Sequence, residues 1–145
     1  MIRIARPLDA GKVGKILSDI VDTTDQMRVV HSKAEYISFA GKMIDQSWVK
    51  VFEQKYILGF IARNAENIYA LYVEADARGQ GIGTALLNDA KLSTSKLALT
   101  TLETNYRARK LYRREGFLEF DKTKMLKNNV VLPEIRLIWR KSGKT

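Results

Sequence analysis

The stretch YVEADARGQGIGTALL, residues 72–87, constrains the fold of this chain more than any other. An apolar, strand-like run ends in a short polar turn, three glycines follow at alternate positions, and an amphipathic helix begins directly after them. Gly79, Gly81 and Gly83 stand where the helix must start, although glycine disfavours helices more than any residue except proline. Another apolar run, LALTTL at residues 97–102, follows the helix. The segment therefore predicts a β–α–β unit with parallel strands.

Around this unit the pattern predicts a mixed sheet in one domain spanning residues 1–145. Short spacers separate the apolar runs that precede it, which favours antiparallel hairpins. Asn128 and Asn129 mark a turn between two late strands. The predicted strands are residues 2–7, 48–53, 56–62, 68–73, 97–102, 117–125 and 135–140. The fold class is therefore α/β, or α+β, with a mostly antiparallel twisted sheet around a central parallel unit and helices on both faces.

Helical spacing of apolar residues predicts four helices. The first follows Asp9, and the second begins at a capping box formed by Ser32 and Glu35. The third begins at about Ile82. The fourth contains Ala108, Leu111 and Tyr112, and Gly116 ends it.

Composition excludes several kinds of site. The chain has no cysteine, which rules out disulfides and thiolate chemistry, and its one histidine, His31, rules out a multi-histidine metal site. We expect no metal cofactor. No apolar run approaches the roughly 20 residues of a membrane span, and the first residues lack a signal-peptide core. The sequence therefore predicts a cytoplasmic protein.

Positive charge is concentrated late in the chain. Its 25 lysines and arginines outnumber 16 acidic residues, for a formal net charge of +9. The stretch NYRARKLYRRE, residues 105–115, is a basic cluster, and residues 122–144 contain a single acid, Glu134. A basic surface attracts nucleic acid, acidic proteins or phosphorylated cofactors, and it can equally be a solvated face without a specific partner.

The turn that contains Gly79, Gly81 and Gly83, called the glycine turn below, has the chemistry of an anion-binding site. A helix that follows a strand directs its unpaired N–H groups and its positive dipole end at one point. Glycines let the backbone approach a bulky diphosphate, and Arg78 adds a charged donor. No Gly-Lys-Ser/Thr follows, so this is not a Walker P-loop, and the spacing of Gly79, Gly81 and Gly83 is not that of a Rossmann fingerprint.

Two motifs together resemble the GNAT N-acetyltransferase superfamily, which binds acetyl-CoA. The family's pyrophosphate signature, Gln/Arg-x-x-Gly-x-Gly/Ala, reads Arg78-Gly79-Gln80-Gly81-Ile82-Gly83 here. The family's later helix motif is matched by Asn105, Ala108, Tyr112, Gly116 and Phe117. The resemblance is strong from about residue 68 to residue 120 and only architectural elsewhere.

The resemblance implies an acetyl-CoA site along this segment. Backbone N–H groups of residues 79–84 would hold the pyrophosphate, and the main chain of Leu71 and Val73 would bond the pantetheine arm. Arg109 or Lys110 would face the 3′-phosphate. The implied cofactor-binding residues are Leu71, Tyr72, Val73, Arg78, Gly79, Gln80, Gly81, Ile82, Gly83, Thr84, Asn105, Arg109 and Lys110.

The resemblance also implies catalytic roles. A departing CoA thiolate needs a proton donor, and Tyr112 occupies the motif position that often has this role. An acceptor amine must lose a proton, for which Glu103 and Glu66 are equally good carboxylate candidates at strand ends. Asn105 is either an ordinary helix N-cap or a cofactor contact, or both. A lone histidine such as His31 is more often incidental.

The function implied is direct transfer of acetyl from acetyl-CoA to a primary amine. The acceptor is open: a protein N-terminus, a lysine, a polyamine, an amino acid or an aminoglycoside. One alternative is a non-catalytic acyl-CoA sensor. Another is a nucleic-acid-binding module, against which the apolar strand IYALYV argues because it offers no basic or aromatic face. Edge strands near the C-terminus are compatible with a homodimer.

Overall fold

The computed structural model describes residues 1–22, 32–127 and 129–142, whose strands form one mixed sheet. The strands are β1 (Ile2–Ile4), β2 (Val49–Glu53), β3 (Ile57–Asn64), β4 (Asn67–Val73), β5 (Lys96–Leu102), β6 (Leu118–Lys127) and β7 (Val130–Arg140). They follow the order β1-β2-β3-β4-β5-β7-β6. Only β4 and β5 run parallel, and the other neighbours are antiparallel. The predicted fold class is confirmed.

In the part of the chain that the structure describes, four α-helices cover the two faces of this sheet. They are α1 (Ala10–Asp22), α2 (Lys33–Asp45), α3 (Ile82–Leu92) and α4 (Tyr106–Arg114). The capping box predicted for α2 is present, since Ser32 Oγ accepts from the Glu35 amide and the Glu35 carboxylate accepts from the Ser32 amide. None of the helices within the described residues has the length and apolarity to cross a membrane.

Each face of the sheet has its own apolar core. α3 and α4 pack on one face, with Ile61, Leu86, Leu97, Tyr112 and Leu137 among the buried residues. On the other face, α1 and α2 pack with the buried residues Val13, Ile16, Ala40, Ile44, Val51 and Phe60. The sheet therefore separates the molecule into an α1/α2 face and an α3/α4 face.

The first strand is shorter than the sequence predicts. Residues 2–7 are expected to be extended, whereas β1 ends at Ile4 and a short 3-10 helix, Pro7–Asp9, follows. The buried carboxylate of Asp9 accepts hydrogen bonds from the Arg3 guanidinium at 2.8 and 3.1 Å and from the Arg6 amide at 2.7 Å. Arg3 also binds Glu53 at 2.9 Å, so one guanidinium ties β1 to the turn and to β2.

The last strand is longer than the sequence predicts. It begins at Val130 instead of residue 135 and contains Pro133, which cannot donate to a sheet ladder. The Pro133 carbonyl accepts from the Glu103 amide at 3.0 Å, beyond Leu102, where β5 ends. The proline nitrogen faces the Glu103 carbonyl and cannot donate to it, and that carbonyl accepts from Arg109 Nη1 at 2.7 Å instead.

Candidate active site

A cleft opens between the two parallel strands in the middle of the sheet. β4 and β5 share one register pair, Asn67 with Ala98, and the Ala98 amide donates to the Glu66 carbonyl at 2.8 Å. Beyond this point the strands diverge and enclose a cleft of about 220 Å³. Its lining comprises Ile68, Tyr69, Ala70, Leu71, Tyr72, Leu99, Thr100, Thr101, Leu102, Asn105, Ala108, Tyr112, Met125 and Glu134.

The divergence leaves backbone groups of β4 facing the cleft. The Glu74 amide donates to the Leu58 carbonyl at 2.8 Å, which fixes the ladder between β3 and β4. Hydrogen bonding alternates along an antiparallel pair, so Tyr72 bonds β3 while the N–H and C=O groups of Leu71 and Val73 point the other way. These groups of Leu71 and Val73 face the side on which β5 has moved away. The structure thus gives both residues the backbone orientation that the resemblance implies.

The glycine turn lies between β4 and α3. Its glycines differ in their backbone angles and in the space around them. Gly79 and Gly81 have φ angles of 79° and 80°, in the left-handed region that side chains disfavour. Gly81 is the N-cap of α3, and no side chain caps this helix. A Cβ atom on Gly79 or Gly81 would meet no atom within 4 Å, so the turn is bordered by open space. A Cβ atom on Gly83 would be in ordinary van der Waals contact with the side chains of Leu111, at 3.5 Å, and Val73, at 4.0 Å.

Helix α4 packs alongside the first turn of α3. Thr84 Oγ1 donates to Glu115 Oε2 at 3.1 Å, and Gly83 lies against Leu111. Residues four positions apart share one face of a helix, so Arg107 lies one turn before Leu111 on the same face. Burial and the positive charge of Arg107 lower the pKa of Arg78. Two cations therefore converge beside the glycine turn.

The basic residues expected at the cofactor have different surroundings. Within the described residues, Arg78, Arg107 and Lys110 form no ion pair. Arg109 instead binds Glu119 through Nε and Nη2, at 2.8 and 3.0 Å, and its Nη1 donates to the Glu103 carbonyl at 2.7 Å. The Arg109 guanidinium thus joins α4 to β6 and to the end of β5, and its contact with a 3′-phosphate stays a prediction.

Tyr112 reaches the cleft from the α3/α4 face. Its side chain is buried, packs edge-on against Phe117 with ring centroids 5.2 Å apart, and contributes to the cleft lining. Burial, assisted by the nearby Tyr72 hydroxyl, raises the pKa of Tyr112 well above its ordinary value. The phenol therefore stays protonated at neutral pH and can donate a proton. Burial likewise raises the pKa of Tyr72.

Asn105 is the N-cap of α4 and also lines the cleft. Its Oδ1 accepts from the Ala108 amide at 3.2 Å, which makes it the N-cap of α4. The same residue lines the cleft. An N-cap role therefore does not remove Asn105 from the site.

The two carboxylates expected as bases lie outside the cleft lining. Glu66 lies at the closed end, where β4 meets β5, with its carboxylate 3.8 Å from Lys96. Glu103 follows β5. Its backbone amide donates to the Pro133 carbonyl, its carbonyl accepts from Arg109, and its negative charge helps to raise the pKa of Arg109. The cleft contains Glu134 of β7 instead. His31 lies outside the described residues.

Sequence reasoning missed Glu134 because the predicted strand begins at residue 135, whereas β7 begins at Val130. The signal that could have found it is charge, since Glu134 is the single acid in the basic segment 122–144. An isolated carboxylate among cations is a marked feature.

Comparison with known proteins shows what this chain is similar to. The family profile described as an acetyltransferase (GNAT) domain matches residues 44–119. Peptidyl-lysine N-acetyltransferase YjaB of Salmonella typhimurium is 30% identical over 118 residues, covering 80% of this chain and 81% of that protein. YjaB of Escherichia coli is 25% identical over 118 residues, with 80% of each chain covered.

Solved structures share the fold. The solution structure of apo YjaB from Escherichia coli superposes with a TM-score of 0.79 at 20% identity and covers 98% of both chains. The structure of yncA from Salmonella typhimurium with its cofactor acetyl-CoA superposes with a TM-score of 0.73 at 14% identity, covering 100% of this chain and 95% of that one.

Proposed function

The chain belongs to the GNAT acetyltransferase family and is an acetyl-CoA-dependent N-acetyltransferase, and we propose that its acceptor is the side-chain amine of a lysine in a polypeptide. The relatives named peptidyl-lysine N-acetyltransferase support this acceptor. The protein's net charge of +9 favours lysines with acidic neighbours over polycationic small molecules.

The observation that carries acetyl-CoA binding in this proposal is the unpaired edge of β4. Leu71 and Val73 turn their N–H and C=O groups toward the gap left by β5, and such groups require hydrogen-bond partners. An extended amide chain can add to such an edge as an extra strand. The pantetheine arm of acetyl-CoA contains amides of this kind, so the edge fits it.

The phosphate end of the cofactor fits the glycine turn. The first N–H groups of α3 have no side-chain cap, and the space around Gly79 and Gly81 is open. Arg78 and Arg107 add two positive charges beside them. We assign the pyrophosphate to the turn and the cofactor's remaining negative charge to these arginines, with Lys110 available at the exposed side of α4.

Tyr112 supplies the proton in the proposed reaction. Acetyl-CoA supplies the acetyl group as a thioester and leaves as a thiol. The acceptor ammonium first loses a proton, its nitrogen then attacks the carbonyl carbon, and the C–N bond forms as the C–S bond breaks. The hydroxyl of Tyr112 protonates the departing sulfur and recovers its proton from solvent. The nitrogen loses its second proton, so one net proton is released in each turnover.

Thermal melting with acetyl-CoA and an acetylation assay test the proposal. Acetyl-CoA at 100 times its Kd should stabilise the fold by about 2.7 kcal/mol. The assay compares a peptide that has one lysine and a blocked N-terminus with a peptide that has a free N-terminus and no lysine. We expect acetylation of the lysine peptide. Acetylation of the other peptide alone would contradict the acceptor, and binding without turnover would indicate a sensor.

Tyr112→Phe tests the proton donor. Turnover should fall about 100-fold while acetyl-CoA still stabilises the protein. Tyr106→Phe is the matched control, because Tyr106 is an exposed tyrosine on the same helix. Equal turnover in the two variants would remove Tyr112 from the mechanism.

A further inference from the structure

Glu134 enters the cleft from the face opposite Tyr112. It pairs with Leu102 of β5 and with Thr123 of β6. Its neighbour Ile135 is buried in the core of the α3/α4 face. Successive side chains of a strand point to opposite faces, so Glu134 belongs to the α1/α2 face.

The carboxylate of Glu134 differs in charge from the other side chains around it. It is the one acidic residue among those that line the cleft in the described part of the chain. The Thr123 hydroxyl donates to its Oε1 at 3.4 Å, and its side chain is half-buried. Other acids near the cleft ends are engaged: Glu74 pairs with Lys12 at 2.9 Å and Glu66 lies 3.8 Å from Lys96.

A lone carboxylate in a strongly basic protein is suited to a cationic substrate. The other polar groups of the cleft, which are threonine, tyrosine and asparagine side chains, carry no charge at neutral pH. An ammonium that leaves water for the cleft needs a negative partner, because an unpaired buried charge is costly. Glu134 is the group in the cleft lining that can provide this charge.

We propose that Glu134 binds the ammonium of the acceptor and takes the proton that this nitrogen must lose. The inference rests on the proposed function and extends it, because it assigns the base and a direction of entry. The carboxylate accepts one proton from the ammonium and passes it to solvent, while Tyr112 protonates the sulfur from the other face of the sheet. The acceptor thus enters from the α1/α2 face and the cofactor from the α3/α4 face. The two substrates meet in the gap between β4 and β5.

Glu134→Gln tests the inference with little disturbance of the fold. Glutamine has the same shape and can still accept the Thr123 hydrogen bond. We expect kcat/KM for the lysine peptide to fall about 100-fold, with unchanged stabilisation by acetyl-CoA. Asp121→Asn removes the same charge from an exposed position of β6 outside the cleft lining and should retain activity within about twofold. Glu134→Asp keeps the charge but shortens the side chain, so it should give an intermediate loss with KM raised more than kcat is lowered.

A binding measurement separates this inference from the proposed function. Nα-acetyl-lysine amide is titrated into wild type and Glu134→Gln, each with and without CoA, and followed by NMR. Weaker binding in Glu134→Gln would support the inference even if no peptide is acetylated, a result that would contradict only the proposed function. Equal binding, or a kcat/KM for Glu134→Gln equal to that of Asp121→Asn, would overturn the role of Glu134 and leave the proposed function standing. Should the glutamine variant not fold, Glu134→Met removes the same charge with a side chain of similar length and gives the same comparison.

Discussion

The two edges of β4, a strand of seven residues, differ in how far they are paired with neighbouring strands. On one side β4 pairs with β3 from Asn67 to Val73, and on the other it pairs with β5 only at Asn67. The β3 edge holds the sheet together. The β5 edge leaves the N–H and C=O groups of Leu71 and Val73 without a strand partner inside the sheet.

The difference shows how a stable sheet can provide a binding edge. An exposed strand edge normally invites aggregation, since its unpaired groups template another strand. Here the divergence of one parallel pair creates the edge within the sheet, where β5, α4 and the β6–β7 hairpin flank it. Access is therefore restricted to a chain narrow enough to enter a cleft of about 220 Å³.

Proline substitutions on the two edges should have the largest and most different effects. Ala70 pairs with Ala62 of β3, and the alternation of the ladder directs its amide to that strand. Ala70→Pro leaves the Ala62 carbonyl unpaired at a buried position and should lower the free energy of unfolding by about 3 kcal/mol. Val73→Pro removes an amide that faces the cleft, so it should cost much less stability but weaken acetyl-CoA binding at least about tenfold.

Chemical denaturation and acetyl-CoA titration of the two variants check this contrast. A Val73→Pro protein that binds acetyl-CoA like wild type would show that the open edge of β4 is not the cofactor's partner. Similar losses of stability in both variants would contradict the assigned alternation of β4.

Gly81→Ala should have an intermediate effect at the end of the open edge. Its φ of 80° is strained for alanine, which costs about 1–2 kcal/mol. Strain at the N-cap of α3 should also lower acetyl-CoA affinity. The control is Gly11→Ala, because Gly11 lies in α1 with nothing within 4 Å of its Cβ position. That change should raise stability by about 0.5 kcal/mol. A gain of stability in Gly81→Ala, measured by urea unfolding, would contradict the left-handed turn.

The smallest expected effect is a change in how stability depends on pH, and it arises from Tyr112 beside the open edge of β4. Its pKa is raised in the folded protein, so the unfolded chain ionises first, near pH 10. The contribution of the protonated Tyr112 hydroxyl to the free energy of unfolding is complete below that pH. It is lost as the pH rises toward the folded-state pKa. Wild type should therefore lose more thermal stability than Tyr112→Phe between about pH 9 and pH 11. Tyr106→Phe should behave like wild type, and equal losses in all three proteins would place the Tyr112 hydroxyl in water.

The glycine turn and the first residues of the helices were predictable because they depend on residues close together in the sequence. Ser32 with Glu35, and Asn105, cap their helices through contacts within four residues, and Gly79 with Gly81 supply the backbone angles of the turn. Strand ends were less predictable. Pro133 disfavours a strand by local rules, yet the sheet accepts it because Arg109, in place of an amide at residue 133, donates to the Glu103 carbonyl.

The sequence by itself determined the mixed fold, the glycine turn before α3 and the motif that contains Tyr112, since all three depend on neighbouring residues. Only the tertiary structure decided which charges are available and which strand edge is open. Arg109 is engaged by Glu119, ten residues away, whereas Arg107 and Arg78 converge from two separate elements. Glu134 lies in the cleft because β7 runs between β5 and β6, an arrangement set by long-range packing.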